Sequence, residues 1–356
     1  SAWRSESVVI SLGQGGALAP RMRGLGVPVH ELGMNAALPN PFAVVSIARI
    51  LRSHGADLVS TWMYHGDLIG GIAGRMAGLP VIWGIRNSTL SKAESAWTTR
   101  AIARVNGVLS GFVPVAIISC SQRARDVHVQ LGFDARKFRL IPNGVDTEVF
   151  KPDTEARAAV RTELHVDAGA HLVGIIARFD PQKNHRAFLE AAGNAFSRRK
   201  DVRIVLAGVG MSGENGELMS WLRAAGLDKR THLLGPRHDI HRIMTALDVL
   251  ALPSSYGEAF PSVLAEAMAC GVPCVTTDVG DAATIVGTTG TVVPIGDMPA
   301  LIKGAVALLD EDAATQQHRA TSSRARVVGM FNIDTMVAAY EQLFRDASAR
   351  RAGAGV

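Results

Sequence analysis

Two carboxylates eight residues apart, Glu258 and Glu266, stand in the stretch Ser254-Ser-Tyr-Gly-Glu-Ala-Phe-Pro-Ser-Val-Leu-Ala-Glu-Ala-Met-Ala-Cys-Gly-Val-Pro273. The apolar run Val249–Leu252 reads as a strand. The pattern from Ser262 to Ala269 reads as a helix whose first turn is shaped by Pro261 or Ser262. Glu258 is then on the loop and Glu266 about one turn into the helix. Both would reach the crevice beyond the carboxyl ends of the strands, where open α/β sheets bind ligands. A carboxylate accepts two hydroxyl hydrogen bonds, which suits a ribose or a hexose, and a helix N-terminus suits a diphosphate. The alternative is a pair of solvated surface carboxylates. That fits Glu266 poorly, because Leu264, Ala265, Ala267 and Met268 make its helix mostly apolar, and a Glu there needs a partner.

A second segment, Gly174-Ile-Ile-Ala-Arg-Phe-Asp-Pro-Gln-Lys-Asn184, runs from a strand through a turn at Asp180-Pro181 into a helix start. Arg178 and Lys183 would flank that start and could neutralise a diphosphate, including the charge that builds on it as a leaving group. By themselves they fit an ordinary exposed loop equally well.

These loops need sheets to hold them. Strand-like runs occur at residues 7–12, 27–32, 57–61, 80–85 and 115–119, and again at 172–177, 202–207, 231–234, 249–252 and 273–277. Helical patterns alternate with them, at 41–54 and 66–76 in the first half and at 185–195, 216–225, 239–246 and 262–269 in the second. Such alternation predicts parallel sheets with right-handed crossovers. Two sets predict an α/β chain of two Rossmann-like, doubly wound domains facing a cleft. The turn formers Pro142, Asn143, Gly144, Pro152 and Asp153 put the boundary between 141 and 153. The division expected is 1–145, 146–331, a last amphipathic helix within 332–349 that returns to the first domain, and a disordered tail at 350–356.

Composition agrees. The chain of 356 residues is long enough for two cores, and 47% hydrophobic against 5% aromatic residues means that small aliphatic side chains do the packing, as buried parallel strands require. Cys120, Cys270 and Cys274 are too few for a disulfide framework, and the C-x3-C pair has no second pair to complete a zinc site, so a cytoplasmic, reducing setting is expected. No apolar run is long enough to span a bilayer and no signal peptide is visible. Residues 1–145 carry 15 Lys+Arg against 7 Asp+Glu, and residues 146–356 carry 22 against 25. The first half is therefore basic, which suits a phosphorylated acceptor or an anionic membrane face. Its positive charges are scattered, without the dense run that nucleic-acid binding needs.

In order along the chain, residues 118–122, 142–146, 178–184, 207–210, 234–236, 253–266 and 271–273 resemble the retaining glycosyltransferases of family 4, which have the GT-B fold. The resemblance implies a nucleoside-diphosphate sugar as donor and a glycan or lipid-diphosphate as acceptor, with no cofactor and no metal. Uridine is the base most common in the family, and surface-polysaccharide assembly is a fitting role, at or near the inner face of the membrane. It implies that Glu266 holds the donor ribose and Glu258 faces the transferred sugar. Arg178 and Lys183 would hold the diphosphate, and the backbone of Gly257, Ala259, Phe260, Pro261, Ser262 and Val263 would line the sugar and phosphate pocket. The backbone near Pro236 and Arg237 would meet the base. His65, in Trp62-Met-Tyr-His-Gly-Asp67, would face the donor sugar across the cleft, and Arg86, Asn87 and Asn143 would lie on the acceptor side. The family pattern also has a strand and a Gly-rich loop ahead of the run at 7–12, and the first domain is expected to lack them.

Four competing readings remain. Gly13-Gln-Gly-Gly16 with Glu31 partly matches a dinucleotide fingerprint, but Leu18 replaces its third Gly and Pro20 falls in the following helix. Asp310-Glu-Asp312 looks like a metal-binding D-x-D but reads better as a solvated acidic linker. A nucleotide-sugar epimerase of the same fold, or a non-catalytic sugar-nucleotide binding protein, would share the donor-site residues.

Overall fold

The structure, a computed structural model, describes residues 6–14, 16–34, 42–90, 96–167 and 169–353. The chain divides into two compact units, 1–141 with 338–356, and 142–337.

In the first unit, β1 (Val9–Ser11) pairs in parallel with β2 (Val29–Glu31). A four-stranded parallel sheet follows in sequence order: β3 (Val59–Ser60), β4 (Val81–Ile85), β5 (Ala116–Ser119) and β6 (Phe138–Leu140). Every residue of β4 and β5 is buried, as expected of parallel strands covered on both faces. The helix Met63–Met76 lies close to this sheet because its inner face is small. A Cβ on Gly71 would come within 2.7 Å of Trp83 Nε1, and one on Gly74 within 2.7 Å of Val81 Cγ2.

In the second unit, β7 (His171–Ile176), β8 (Val202–Ala207), β9 (Thr231–Leu233), β10 (Val249–Leu252), β11 (Cys274–Thr277) and β12 (Thr291–Val293) form one parallel sheet in the order β12-β11-β10-β7-β8-β9. This is the doubly wound order, and its direction of winding reverses between β7 and β10. Phe188, Leu189 and Phe196 of the helix His185–Phe196 pack with Val173, Ile175, Ile204 and Leu206 of the sheet. Burying each such side chain is worth roughly 1.5–3 kcal/mol before chain entropy is subtracted.

The strands β6 and β12 were not expected, being three residues each and only partly apolar. The helix expected from 41 begins at Phe42, residue 41 lying outside the described residues. The last helix runs Ile333–Gly353, so residues 350–353, expected as tail, are helical, and 354–356 lie outside the described residues. Around Gly13-Gln-Gly-Gly16 the chain makes a short turn at Gly16–Leu18 and enters the helix Ala19–Gly24, with Pro20 in its first turn; residue 15 is outside the described residues. The acids 310–312 are surface residues, Asp310 and Asp312 exposed as a solvated linker would have them, but each also has a local structural contact. Asp310 pairs with Arg199, Glu311 with Arg319, and Asp312 caps the helix Ala313–Met330 by accepting from Thr315 N at 2.9 Å. All three cysteines are buried free thiols.

Candidate functional site

At the reversal point of the second unit, two loops leave adjacent parallel strands. One follows β7 and carries Arg178 and Lys183. The other follows β10 and carries Ser254 to Pro261. Ser255 N donates to Gln182 O at 2.9 Å, so the two loops form one wall. Across that seam Lys183 Nζ donates to Glu258 Oε1, which also accepts from Ser254 Oγ at 2.9 Å. Both members of the ion pair are well shielded, with side chains 13% and 11% exposed. A pair so placed is held against water, and it costs stability if one partner is removed.

The Lys183 position is set locally. Asp180 accepts from Gln182 N at 2.9 Å and caps the short turn Pro181–Lys183, and Asn184, in the left-handed conformation at φ +52°, turns the chain into the helix His185–Phe196. Arg178 is held differently. Its Nε donates to Asp180 Oδ2 at 3.0 Å and its Nη2 to Gln182 Oε1 at 3.3 Å, yet its side chain is 57% exposed. It is a tethered cation facing solvent at the strand end, whereas Lys183 is a shielded one.

The helix Ser262–Ala269 begins directly after the Glu258 loop. Pro261 precedes it without a side-chain cap, so Ser262 does not close its own helix. Instead Ser262 Oγ accepts from Asn143 Nδ2 at 3.4 Å. The N–H groups of Ser262 and Val263 are in the first turn, where no intrahelical acceptor exists, and are available to an anion. Glu266 follows one turn later. Burial pushes its carboxyl above the ordinary Glu value, and among the described residues it has no hydrogen-bond or ion-pair partner. The partner that its apolar helix demands is therefore not supplied by the described protein atoms.

Ala259 and Phe260 are buried, and Ala259 O accepts from Asp281 N at 2.9 Å. Gly280 sits behind this loop at φ +56°, and a Cβ on it would collide with Glu258 O and Ala259 O. Gly257, at φ +75°, faces the Gln182 side chain at 3.0 Å from an added Cβ. Pro236 and Arg237 follow β9 at the far side of β8. The Arg237 guanidinium is bound to Asp239 (2.8 Å) and Glu163 (2.7 Å), which raises its pKa further and leaves backbone as what this loop can offer a ligand.

The remaining candidates are in the first unit, except Asn143. Expected with Arg86 and Asn87, Asn143 instead belongs to the second unit and supports Ser262. His65 is half-buried in the first turn of Met63–Met76, two residues after Met63, whose φ is +68°. Two residues on, Asp67 is fully buried and accepts from Thr61 Oγ1 at 2.6 Å. Arg86 lies over the Trp62 ring at 4.6 Å and donates to Tyr340 OH at 2.5 Å, while Asn87 Oδ1 accepts from Thr89 N at 2.9 Å. Ser254, Gln182, Asp180, Gly280, Thr61 and Tyr340 were given no role from sequence. Only pairing across loops reveals them, although Ser254 and Gln182 fall inside the two segments that drew attention.

A separate pocket of about 330 Å³, lined by Glu148, Lys151, Asp153, His241 and Arg242 among others, shares no residue with this wall. Lys151 lies 3.7 Å from Glu148 within it.

Residues 4–149 match the family described as Glycosyltransferase Family 4, and residues 170–311 match Glycosyl transferases group 1. The chain is 30% identical over 337 residues to the 2-deoxystreptamine N-acetyl-D-glucosaminyltransferase of Streptomyces fradiae, covering 88% of this chain and 76% of that protein. It is 26% identical over 312 residues to the UDP-Gal:alpha-D-GlcNAc-diphosphoundecaprenol alpha-1,3-galactosyltransferase of Escherichia coli, covering 85% and 79%. It is 32% identical over 208 residues to the putative glycosyltransferase EpsF of Bacillus subtilis, covering 58% of this chain and 53% of that protein, so it spans about half the length of some relatives that it matches. The fold resembles that of Anabaena HepE solved in complex with UDP, with a TM-score of 0.83, 24% identity and coverage of 95% and 92%.

Proposed function

From the premise that this chain belongs to the family 4 glycosyltransferases, we propose that it moves a sugar from a nucleoside-diphosphate sugar to a glycan or lipid-diphosphate acceptor, with retention at the anomeric carbon. The observation that carries this reading is the wall at the β7–β10 reversal. It combines a shielded Lys183–Glu258 pair, an exposed Arg178, an open helix start and a half-buried Glu266 with no partner among the described residues. Those are the groups that a sugar nucleotide calls for: hydroxyl acceptors for ribose and hexose, and cations with N–H donors for the diphosphate.

In this proposal Glu266 accepts from the ribose hydroxyls, and Arg178, Lys183 and the N–H groups of Ser262 and Val263 carry the diphosphate. The anomeric C–O bond to the diphosphate breaks while the acceptor hydroxyl oxygen bonds to that carbon on the same face. The departing phosphate oxygen takes the hydroxyl proton. Negative charge growing on the diphosphate is met by the two cations without the need for a metal ion. Glu258 faces the sugar, and His65, carried over from the family resemblance, assists at the transferred sugar from the first unit.

UDP is the proposed base and diphosphate, supported by the UDP named for the Anabaena structure and the UDP-Gal in the name of the E. coli relative. The lipid diphosphate in that relative's name, with the basic surplus of residues 1–145, supports an acceptor of that class and a role in surface-polysaccharide assembly beside an anionic membrane. No helix among the described residues is long and apolar enough to cross a membrane.

A thermal-shift screen of nucleotides and nucleotide sugars tests the donor half, because a ligand that binds only the folded state raises stability by RT ln(1 + [L]/Kd). Incubation of the stabilising donor with lipid-linked and free glycan acceptors tests the transfer. An epimer formed from donor alone, or tight binding without turnover on any acceptor, would overturn transfer while leaving donor binding intact.

A further inference from the structure

The helix Trp97–Leu109 of the first unit presents an outer face that, among the described residues of that unit, is exposed. Its inner face is fixed by the buried Ala103, Asn106 and Gly107, with Ser110 beyond the helix end. Opposite these, Trp97, Ala101, Val105 and Val108 recur every three or four residues and form one stripe, and Phe112 stands in the turn just past the helix end. Trp97 is 73% exposed, Val108 74% and Phe112 79%. Scattered single apolar residues on a surface need no explanation, but an aromatic-ended stripe along one helix face does.

Charge accompanies the stripe. Arg100 and Arg104 are on the same helix, and no Asp or Glu occurs from 95 to 125. Beside Phe112, Lys137 Nζ donates to Gly111 O at 2.6 Å and Pro114 O at 2.8 Å, and Arg75 lies within electrostatic reach of it. The acid close by is Asp134, which is bound by Arg136 through two contacts of 3.0 and 2.9 Å.

We propose that this face, built on Trp97, Val105, Val108 and Phe112 and flanked by the exposed Arg104 and by Lys137, docks the protein onto an anionic lipid bilayer. Trp and Phe suit the boundary between headgroups and acyl chains, where an amphipathic ring gains most. A helix with an apolar stripe and cationic residues at its flanks lies in the plane of that boundary and draws on anionic lipid for affinity. The surface stands on exposure and charge. Its use, bringing the first unit to a membrane-embedded acceptor, rests on the lipid-linked acceptor reading above.

The test is sedimentation of the full chain with phosphatidylcholine vesicles, with and without phosphatidylglycerol, at low and high salt. The expected result is binding to the anionic vesicles that weakens with salt, and at least about tenfold weaker binding by the Trp97→Ser/Phe112→Ser variant. The UDP-dependent thermal shift, read on the same samples, should be equal in both proteins and shows that the variant is folded. Wild type that fails to bind anionic vesicles, a variant that binds them equally, or a dimer in size-exclusion chromatography that only the variant loses would overturn the membrane face. A missing UDP shift in wild type would instead strike the donor reading and leave the membrane result standing.

Discussion

Lys183 and Glu258, 75 positions apart in sequence, share a shielded ion pair that closes the seam between the loops following β7 and β10. Ser254 Oγ supports the carboxylate from behind at 2.9 Å. Removing one member of such a pair leaves a shielded charge unmatched, at a cost of roughly 3–5 kcal/mol. Lys183→Ala should therefore lower stability in urea denaturation and also reduce turnover about 100-fold, as loss of a group that meets transition-state charge does. Lys183→Ala combined with Glu258→Gln should recover most of the stability and none of the turnover. If the double variant regains activity, Lys183 serves only to neutralise Glu258.

Glu266 shows the opposite arrangement, a half-buried carboxyl with no protein partner among the described residues. Because burial raises its folded pKa, its contribution to stability is fully present below the unfolded value and is lost as pH rises through the folded one. Once ionised, it costs stability that a bound ribose would offset. Glu266→Gln should thus be as stable as wild type or more so at pH 7, with the advantage fading in acid. The same variant should lose most of the UDP-induced rise in melting temperature. A variant less stable at neutral pH would mean that the carboxylate has a structural role.

Much of this wall can be read directly from the residues. The runs expected at 172–177 and 249–252 form the strands His171–Ile176 and Val249–Leu252, and the loops after them hold the charged residues. What sequence does not reveal is which charges meet. Arg178 and Lys183 look alike in the chain, yet one is tethered to Asp180 and exposed while the other is shielded by a loop 75 residues away. Asn143 was assigned by resemblance to the acceptor side, but it follows the last strand of the first unit by only three residues. A boundary at Ile141 puts it in the second unit, on Ser262. β6 and β12 escape notice because Phe-Arg-Leu is broken by a charge and Thr-Val-Val offers only two apolar residues, too few to show a period.

Gly280 belongs to the site without touching a ligand. Its φ of +56° disfavours any side chain, and a Cβ would strike the Glu258 and Ala259 carbonyl oxygens. Gly280→Ala should push the Glu258 loop outward, costing about 1–3 kcal/mol of stability. It should lower kcat by more than it raises KM, because in the proposed mechanism Glu258 on this loop faces the sugar while other residues hold the ribose and diphosphate. A kinetic defect confined to KM would show that the loop is not under this constraint.

The last prediction concerns the base of the His65 helix. Asp67 is buried with one oxygen bound by Thr61 Oγ1 at 2.6 Å and the other unpaired among the described residues. Burial raises its pKa to about 8, against hydrogen bonds from Thr61 and Gly84 that lower it. The folded protein therefore holds a neutral acid at pH 7, while the unfolded chain ionises near pH 4. A raised carboxyl favours the fold fully below the unfolded value, and this contribution declines between about pH 4 and pH 8 by at most about 1.4 kcal/mol per unit. Asp67→Asn cannot ionise, so its stability relative to wild type should climb across that interval and level off above pH 8, as read from urea midpoints at a series of pH values. His65 is two residues away on the same first turn, which Thr61 and Asp67 tie to the end of β3. Ionisation of Asp67 in the fold should loosen that turn, so wild-type turnover should fall above pH 8 through a group that the Asn variant lacks. Parallel stability curves for the two proteins would mean that Asp67 finds a proton-independent partner, and the link from its charge to His65 would fall with them.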